Sequence, residues 1–307
     1  MRIGINGSSL VAVGRPTAEI AAHAAAAEAD GFSTYWLAQL AVPDALTSLA
    51  VVAGATSTIE LGTAVIPIWV RHPMMLGAQA LTLSEIAGGR VLLGIGLAHK
   101  SSVEGTLEIP FARPATTMEQ YLDVLLPVLR ERAVDTTGSL YSGHAENVGG
   151  PPDIPAPSVM LAAMGPRMLE LAGGRTDGSI LWLSGPRTVE TVIRPALEAA
   201  AAAAARPAPR VAASVPVCVT DRPDDVKGLV AAVLEGYNDL PSYRQVMDHE
   251  GAAGPADVSI IGDEATVRAG IQAFADAGTT DFSALEFPTN PEEEARTRAV
   301  LKDLLTA

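Results

Sequence analysis

The residues of this chain that could do chemistry stand just beyond short apolar runs. His99 and Lys100 follow Val91–Ile95, Asn6 closes Arg2–Asn6, and Gln39 lies just past Thr34–Leu37. Lys100 is one of only three lysines, and with Arg71, Arg167 and Arg187 it forms an expected cationic patch suited to a small anionic ligand. Ala163-Met164-Gly165-Pro166-Arg167 reads as a strand end entering a helix, with Pro166 near the first helical position. Free backbone N–H groups at such a place hold anions, most often phosphate. Trp36, Trp69 and Trp182 are the only tryptophans, and all fall at or near strand ends, where a flat aromatic wall suits a planar ring ligand. Each group also has an ordinary structural reading: a solvated loop charge, a plain turn, or core packing.

Several other chemistries are excluded. No G-x-x-x-x-G-K-[ST] phosphate loop and no G-x-S-x-G nucleophile elbow occur. Gly94-Ile95-Gly96-Leu97-Ala98-His99 begins like a dinucleotide fingerprint, but it ends in histidine and leads into a polar loop, so it reads as a strand exit. The histidines at 23, 72, 99, 144 and 249 share no metal-ligand spacing, so no metal is expected. The single cysteine, Cys218, excludes a disulfide framework and reads as a buried small hydrophobe. With 35 acidic against 21 basic residues the net charge is −14, which opposes a polyanion or an anionic membrane as partner. No run of 18 apolar residues and no signal peptide is read, and a cytoplasmic location is expected.

The elements that must position these residues alternate along all 307 positions. Candidate strands are Arg2–Asn6, Thr34–Leu37, Glu60–Ile66, Val91–Ile95, Val159–Ala163, Ser179–Leu183, Val211–Val219 and Phe282–Glu286. Helical spacing is found near Ala18–Asp30, Asp44–Ala55, Pro73–Ile86, Thr116–Arg132, Pro166–Ala172, Thr188–Ala205, Asp224–Tyr237 and Asp263–Ala277. Eight strands alternating with helices predict an α/β protein, a (β/α)8 TIM barrel with insertions, as a single domain over 1–307; an open doubly wound sheet is the alternative. The two insertions are Ala133–Pro157 and Asn238–Asp257, read as lids or oligomer contacts. Pro291–Leu305 reads as a last helix started by proline and three glutamates.

At the strand ends the chain resembles the bacterial luciferase-like oxidoreductases, and within them the branch using the deazaflavin coenzyme F420. The resemblance covers nearly the entire chain. It is carried by Ala29-Asp30-Gly31-Phe32 with Trp36, by Ile59-Glu60-Leu61-Gly62-Thr63-Ala64-Val65, and by Arg71-His72-Pro73 with Ala78-Gln79-Ala80. Gly88 to Gly96, Leu161 to Pro166 and Ala172 to Gly178 continue it. No single piece is specific; their order and spacing together are.

The resemblance implies a ring in the mouth of the barrel, with coenzyme F420 as cofactor and FMN as the alternative. It implies a non-prolyl cis peptide at Ala64–Val65 beneath the ring. Gln39, Thr63, Ala64, Val65 and His99 are then cofactor contacts, with Gln39 and His99 nearest the chemistry. Ala163, Met164, Gly165, Pro166, Ser184 and Gly185, with Lys100 and Arg187, are expected to hold the phosphate-bearing tail. Asn6, Trp36, Trp69 and Tyr243 are expected to shape the substrate pocket. One departure matters: many deazaflavin dehydrogenases carry Asp-His at the end of the second strand, where this chain has Gln39-Leu40. Leucine cannot act as a base. The expected activity is therefore hydride transfer from reduced coenzyme to a small organic substrate, a reductase, with water, His99 or Tyr243 as proton donor. An FMN-dependent luciferase-like monooxygenase and a non-catalytic flavin-binding member are the alternatives. A homodimer is expected.

Overall fold

A computed structural model of the chain describes residues 1–40, 42–151 and 153–306; Pro152, in the first expected insertion, lies outside them. The barrel strands are β1 (Arg2–Asn6), β2 (Thr34–Leu37), β3 (Glu60–Thr63), β4 (Val91–Gly96), β5 (Ser158–Ala162), β6 (Gly178–Trp182), β7 (Arg210–Val219) and β8 (Asp281–Glu286). All pair in parallel and in order, and β8 returns to β1 through Arg2↔Asp281 to Ile5↔Ala284. The closed ring excludes the open sheet. Beyond the eight, Ile260–Gly262 extends the sheet beside the end of β7.

Alternation decides which side chains face in. Ile3 and Ile5 of β1, Tyr35 and Leu37 of β2, and Val159 and Leu161 of β5 join the large apolar core between strands and helices. Their neighbours Trp36, Leu92, Met160, Ile180 and Ala212 form a second cluster inside the ring. This two-sided burial is what parallel strands covered by helices require. The N-terminal end of the ring is closed by charge: Arg2 pairs with Glu60, and Arg210 bridges Glu60 (3.3 Å) and Asp281 (3.0 Å).

Capping fixes the helix starts that follow the strands. Asp44 and Asp263 accept from the N–H groups three residues on, those of Thr47 and Thr266, as the sequence predicts for Asp263. The expected helix Thr188–Ala205 is instead built from Pro186–Thr188, a π-turn over Val189–Ile193, and Arg194–Ala203. Pro195 offers no N–H to the preceding turn, which favours the wider π spacing there. The first insertion forms a two-stranded hairpin, Val134–Thr136 with Gly143–Ala145, packed outside the barrel on Val124 and Val128. The second forms the helix Pro241–Glu250 above the C-terminal ends of the strands.

Candidate active site

The C-terminal mouth of the ring has a floor of one large side chain among very small ones. Trp36 lies across the barrel, 1% exposed, where a Cβ on Gly62 would come within 2.2 Å of its ring. Gly94 and Gly96 likewise leave no room for a side chain: a Cβ at Gly96 would lie 2.7 Å from Val65 and 3.0 Å from Ala162. Trp36 is therefore the buried support of the mouth, which corrects the expectation that it lines the substrate pocket.

The third strand breaks above this floor. After Thr63 the backbone bulges through a cis Ala64–Val65 peptide, and pairing with β4 resumes at Ile66↔Ile95. Backbone bonds from β2 hold the bulge: Ala64 N–H donates to Leu37 O (2.8 Å) and Gln39 N–H to Val65 O (3.3 Å). Gln39 Oε1 accepts from Ala45 N–H (3.0 Å), so this side chain also starts the next helix. Thr63 is fully buried, and its hydroxyl donates to Gly94 O (2.7 Å) and accepts from Gly94 N–H (2.8 Å). It closes the gap in the ladder and leaves no hydroxyl for a ligand, a correction to the expected cofactor contact. Ala64 and Val65, half-buried, face the mouth. Asn6 sits on the opposite wall, its amide donating to Ser214 Oγ (3.1 Å) and its oxygen accepting from Ser8 N–H (3.0 Å).

Over the other half of the mouth stands an aromatic cluster. His99 meets Tyr237 and Tyr243 edge-on, at 5.7 and 5.6 Å between ring centres; the two tyrosines are 4.8 Å apart, and Trp182 lies 6.4 Å from Tyr237. Burial lowers the His99 pKa, so the imidazole is neutral at pH 7. Burial also raises both tyrosines, most strongly Tyr243, so the phenols keep their protons. Two strand ends here, Ala98 and Leu183, adopt left-handed backbone (φ 53° and 54°), a conformation that costs non-glycine residues energy and clusters at functional sites. Trp69 forms the rim after β3, its N–H on Leu97 O (2.6 Å) and its ring 5.0 Å from Phe111. His72 caps its helix by accepting from Met74 N–H, a structural role.

The expected cationic patch is mostly neutralised. Arg71 pairs with Asp44, Lys100 with Glu104 (3.8 Å) and Arg167 with Glu170 (3.0 Å); Arg187 is exposed. Lys100 starts the short helix Lys100–Gly105 and is two-thirds exposed, with its charge in solvent beside Glu104. Of the expected phosphate cradle, Gly165 is open: a Cβ there would meet nothing within 4 Å. Ala163 and Ser184 are buried, and the Ser184 hydroxyl rests on Met164 Sδ at 3.6 Å, while Pro166 is exposed at the helix start. Gly185 is covered by the carboxylate of Glu250, so neither Ser184 nor Gly185 offers an open surface in this conformation. Glu250, Tyr237 and Ser214 were missed from sequence. Only Tyr237 carried a signal, an aromatic residue at the edge of the second insertion.

Among the described residues no group of three or more His, Cys, Asp or Glu could hold a metal, and no helix is long and apolar enough to cross a membrane. Two cavities of about 690 and 210 Å³ lie outside the ring, against the helix Pro114–Glu131.

The family model described as luciferase-like monooxygenase matches residues 4–283. A 5,10-methylenetetrahydromethanopterin reductase of Methanolobus tindarius is 28% identical over 280 residues, 87% of this chain and 84% of that one. The solved F420-dependent tetrahydromethanopterin reductase of Methanopyrus kandleri superposes with a TM-score of 0.80 at 22% identity, covering 99% and 98% of the two chains. A monooxygenase of Streptomyces bottropensis superposes with a TM-score of 0.79 at 20% identity, covering 100% and 99%.

Proposed function

The chain belongs to the luciferase-like monooxygenase family, and from that premise we propose that it is a coenzyme F420-dependent reductase of a small organic substrate. The observation that carries the direction of reaction is the electrical neutrality of the mouth. His99 is neutral, Tyr237 and Tyr243 are protonated, and exposed Leu40 stands where a histidine base would be needed for alcohol oxidation. Such a pocket suits delivery of hydride to a carbon that is already electron-poor, an iminium carbon above all. The hydride would neutralise such a substrate without a proton from the protein, the matching positive charge being left to the donor and lost from it as a proton. The relative from Methanolobus tindarius, by its name a methylene-carrier reductase, supports this reading.

The residues present fit a planar ring. The Ala64–Val65 backbone, packed above Trp36, would support one edge of it. When bound, the coenzyme supplies the hydride; the chain supplies orientation and the exclusion of water. Trp69, Phe111, Tyr237 and Tyr243 wall the volume above the ring, and Asn6 with Ser214 offers a fixed polar edge. Open Gly165, at the start of helix Pro166–Arg175, would hold part of an anionic tail.

Titration of the purified protein with coenzyme F420 and with FMN tests the reading. Micromolar binding of F420 is expected; binding of FMN alone, with oxygen consumed on reduction, would replace it by the monooxygenase, and binding of neither by a non-catalytic member. A homodimer in the cytoplasm completes the proposal. Exposed Leu40, Val42, Val70 and Met75 support the dimer, and the free Cys218 suits a reducing compartment. Sedimentation equilibrium reads the first, and fractionation of the source cells the second.

A further inference from the structure

The helix Pro114–Glu131 ends on a cation without a counter-ion. Arg132 follows it in left-handed backbone (φ 59°), and the first insertion returns across this end. Val148 N–H donates to Arg132 O (2.8 Å), and Arg132 Nη2 donates to Ile154 O (2.6 Å). Nη1 is enclosed and has no acceptor. The same residue lines the cavity of about 210 Å³, whose wall is otherwise mostly apolar. Met74 and Leu81 come from the helix Pro73–Ile86, Val128 from the turn before Arg132, and Ile154 from the insertion. Among the described residues the cavity has one carboxylate, that of exposed Glu85, and neither Glu85 nor Arg132 forms an ion pair. A guanidinium keeps its charge, so an N–H left unanswered beside an apolar space costs stability that an anion would restore.

We propose that this cavity is a second binding site, for a small aliphatic monocarboxylate. Its hydrocarbon body packs on Met74, Leu81, Val128 and Ile154, and its carboxylate supplies the acceptor that Arg132 Nη1 lacks. The site lies outside the ring and stands independently of the ring-binding reading above. Volume, wall and charge fix the class. The cavity of about 210 Å³ equals the liquid volume of about seven waters, which admits an organic body of about eight non-hydrogen atoms. Its apolar wall selects hydrocarbon, and one cationic donor fixes the polar end. A bond from guanidinium to carboxylate is charge-assisted and stronger than one to a neutral oxygen. A second negative charge on the ligand would face Glu85, so dianions are disfavoured.

Calorimetric titration of the full chain with hexanoate, hexanol and adipate tests the site. Hexanoate should bind about tenfold more tightly than hexanol, which lacks the charge, and about tenfold more tightly than adipate, which carries two. Arg132→Gln should bring hexanoate down to the level of hexanol. Ala78 lines the cavity and is exposed, so Ala78→Leu fills the space without disturbing the core and leaves Arg132 in place. It should abolish hexanoate binding, and it decides the question where Arg132→Gln fails to fold; melting curves verify both variants. No binding of hexanoate to the wild type overturns the site, and so does binding that is unchanged in Ala78→Leu. Hexanol or adipate binding as tightly as hexanoate overturns the assigned class. Hexanoate displaced by coenzyme F420 would lie in the mouth of the ring, and that result overturns the second site as well.

Discussion

Replacing Thr63 by valine tests whether a single hydroxyl holds the third strand to the fourth above the Trp36 floor. Direct pairing between these strands covers Leu61↔Val91 and Gly62↔Leu92, and resumes only at Ile66↔Ile95. In the gap, Gly94 sends its N–H and its C=O to Thr63 Oγ1, at 2.8 and 2.7 Å. Valine fills the same volume, so no cavity opens, but both Gly94 groups lose their partner in a fully buried place. Leaving a buried polar group unsatisfied costs about 1–3 kcal/mol, so the pair predicts a loss of about 2–6 kcal/mol. Thr63→Ser keeps the hydroxyl and removes one methyl, for about 1 kcal/mol. Equilibrium unfolding in urea, compared at the midpoints, should therefore rank wild type above serine and serine well above valine. A valine variant as stable as the wild type, or a serine variant worse than valine, would refute the reasoning. It would mean that water or a shifted backbone satisfies Gly94 instead.

Acid should destabilise the protein through His23. Burial and the neighbouring Arg298 lower its pKa from 6.5 to about 4, so the unfolded chain takes up this proton first. Stability is full above pH 6.5 and falls as the pH drops towards 4, by about 3 kcal/mol from this group; His23→Gln should flatten that part of a melting profile, and an unchanged slope would remove the assignment. Gly62→Ala drives a Cβ into the Trp36 ring, with 2.2 Å to the nearest atom, and should lower stability by about 1–3 kcal/mol or more while shifting tryptophan fluorescence. Because burial lowers the His99 pKa, any limb that it gives kcat/KM should lie below pH 6.5; a limb at or above 6.5 that disappears in His99→Ala would refute this account of its surroundings.

All eight barrel strands were legible because each is buried on both faces and reads as a short apolar run, four of them just behind a glycine stop. The third is the instructive exception. Glu60–Ile66 looks like one strand, but it breaks after Thr63, and nothing in Ala64-Val65 as residue types announces a bulge. The hairpin Val134–Thr136 with Gly143–Ala145 was missed because three-residue strands with mostly polar faces leave no period to count. The helix Lys100–Gly105 was missed because only Val103 is buried in it. In the site, position along the chain placed Asn6, Gln39, His99 and Gly165 at the mouth. It could not show that Trp36 lies beneath the mouth, or that Arg71 and Lys100 already have acidic partners, since pairing is a property of the folded surface.

The mouth is built largely from groups that no motif search can see. Its floor depends on the absence of side chains at Gly62, Gly94 and Gly96, and its edge on the backbone of Ala64 and Val65. The ionisable residues near it are held uncharged by burial, as at His99 and Tyr243. A site of this kind has little acid–base power of its own, because a neutral imidazole and protonated phenols cannot both stay fixed in those states and pass protons at every turnover. What it does have is shape and fixed dipoles. Those are the contributions a protein makes when a bound coenzyme carries the electrons. On this argument, substitutions that change the shape of the floor, such as Gly96→Ala against Val65 and Ala162, should damage ring binding more than the removal of any one titratable side chain at the mouth.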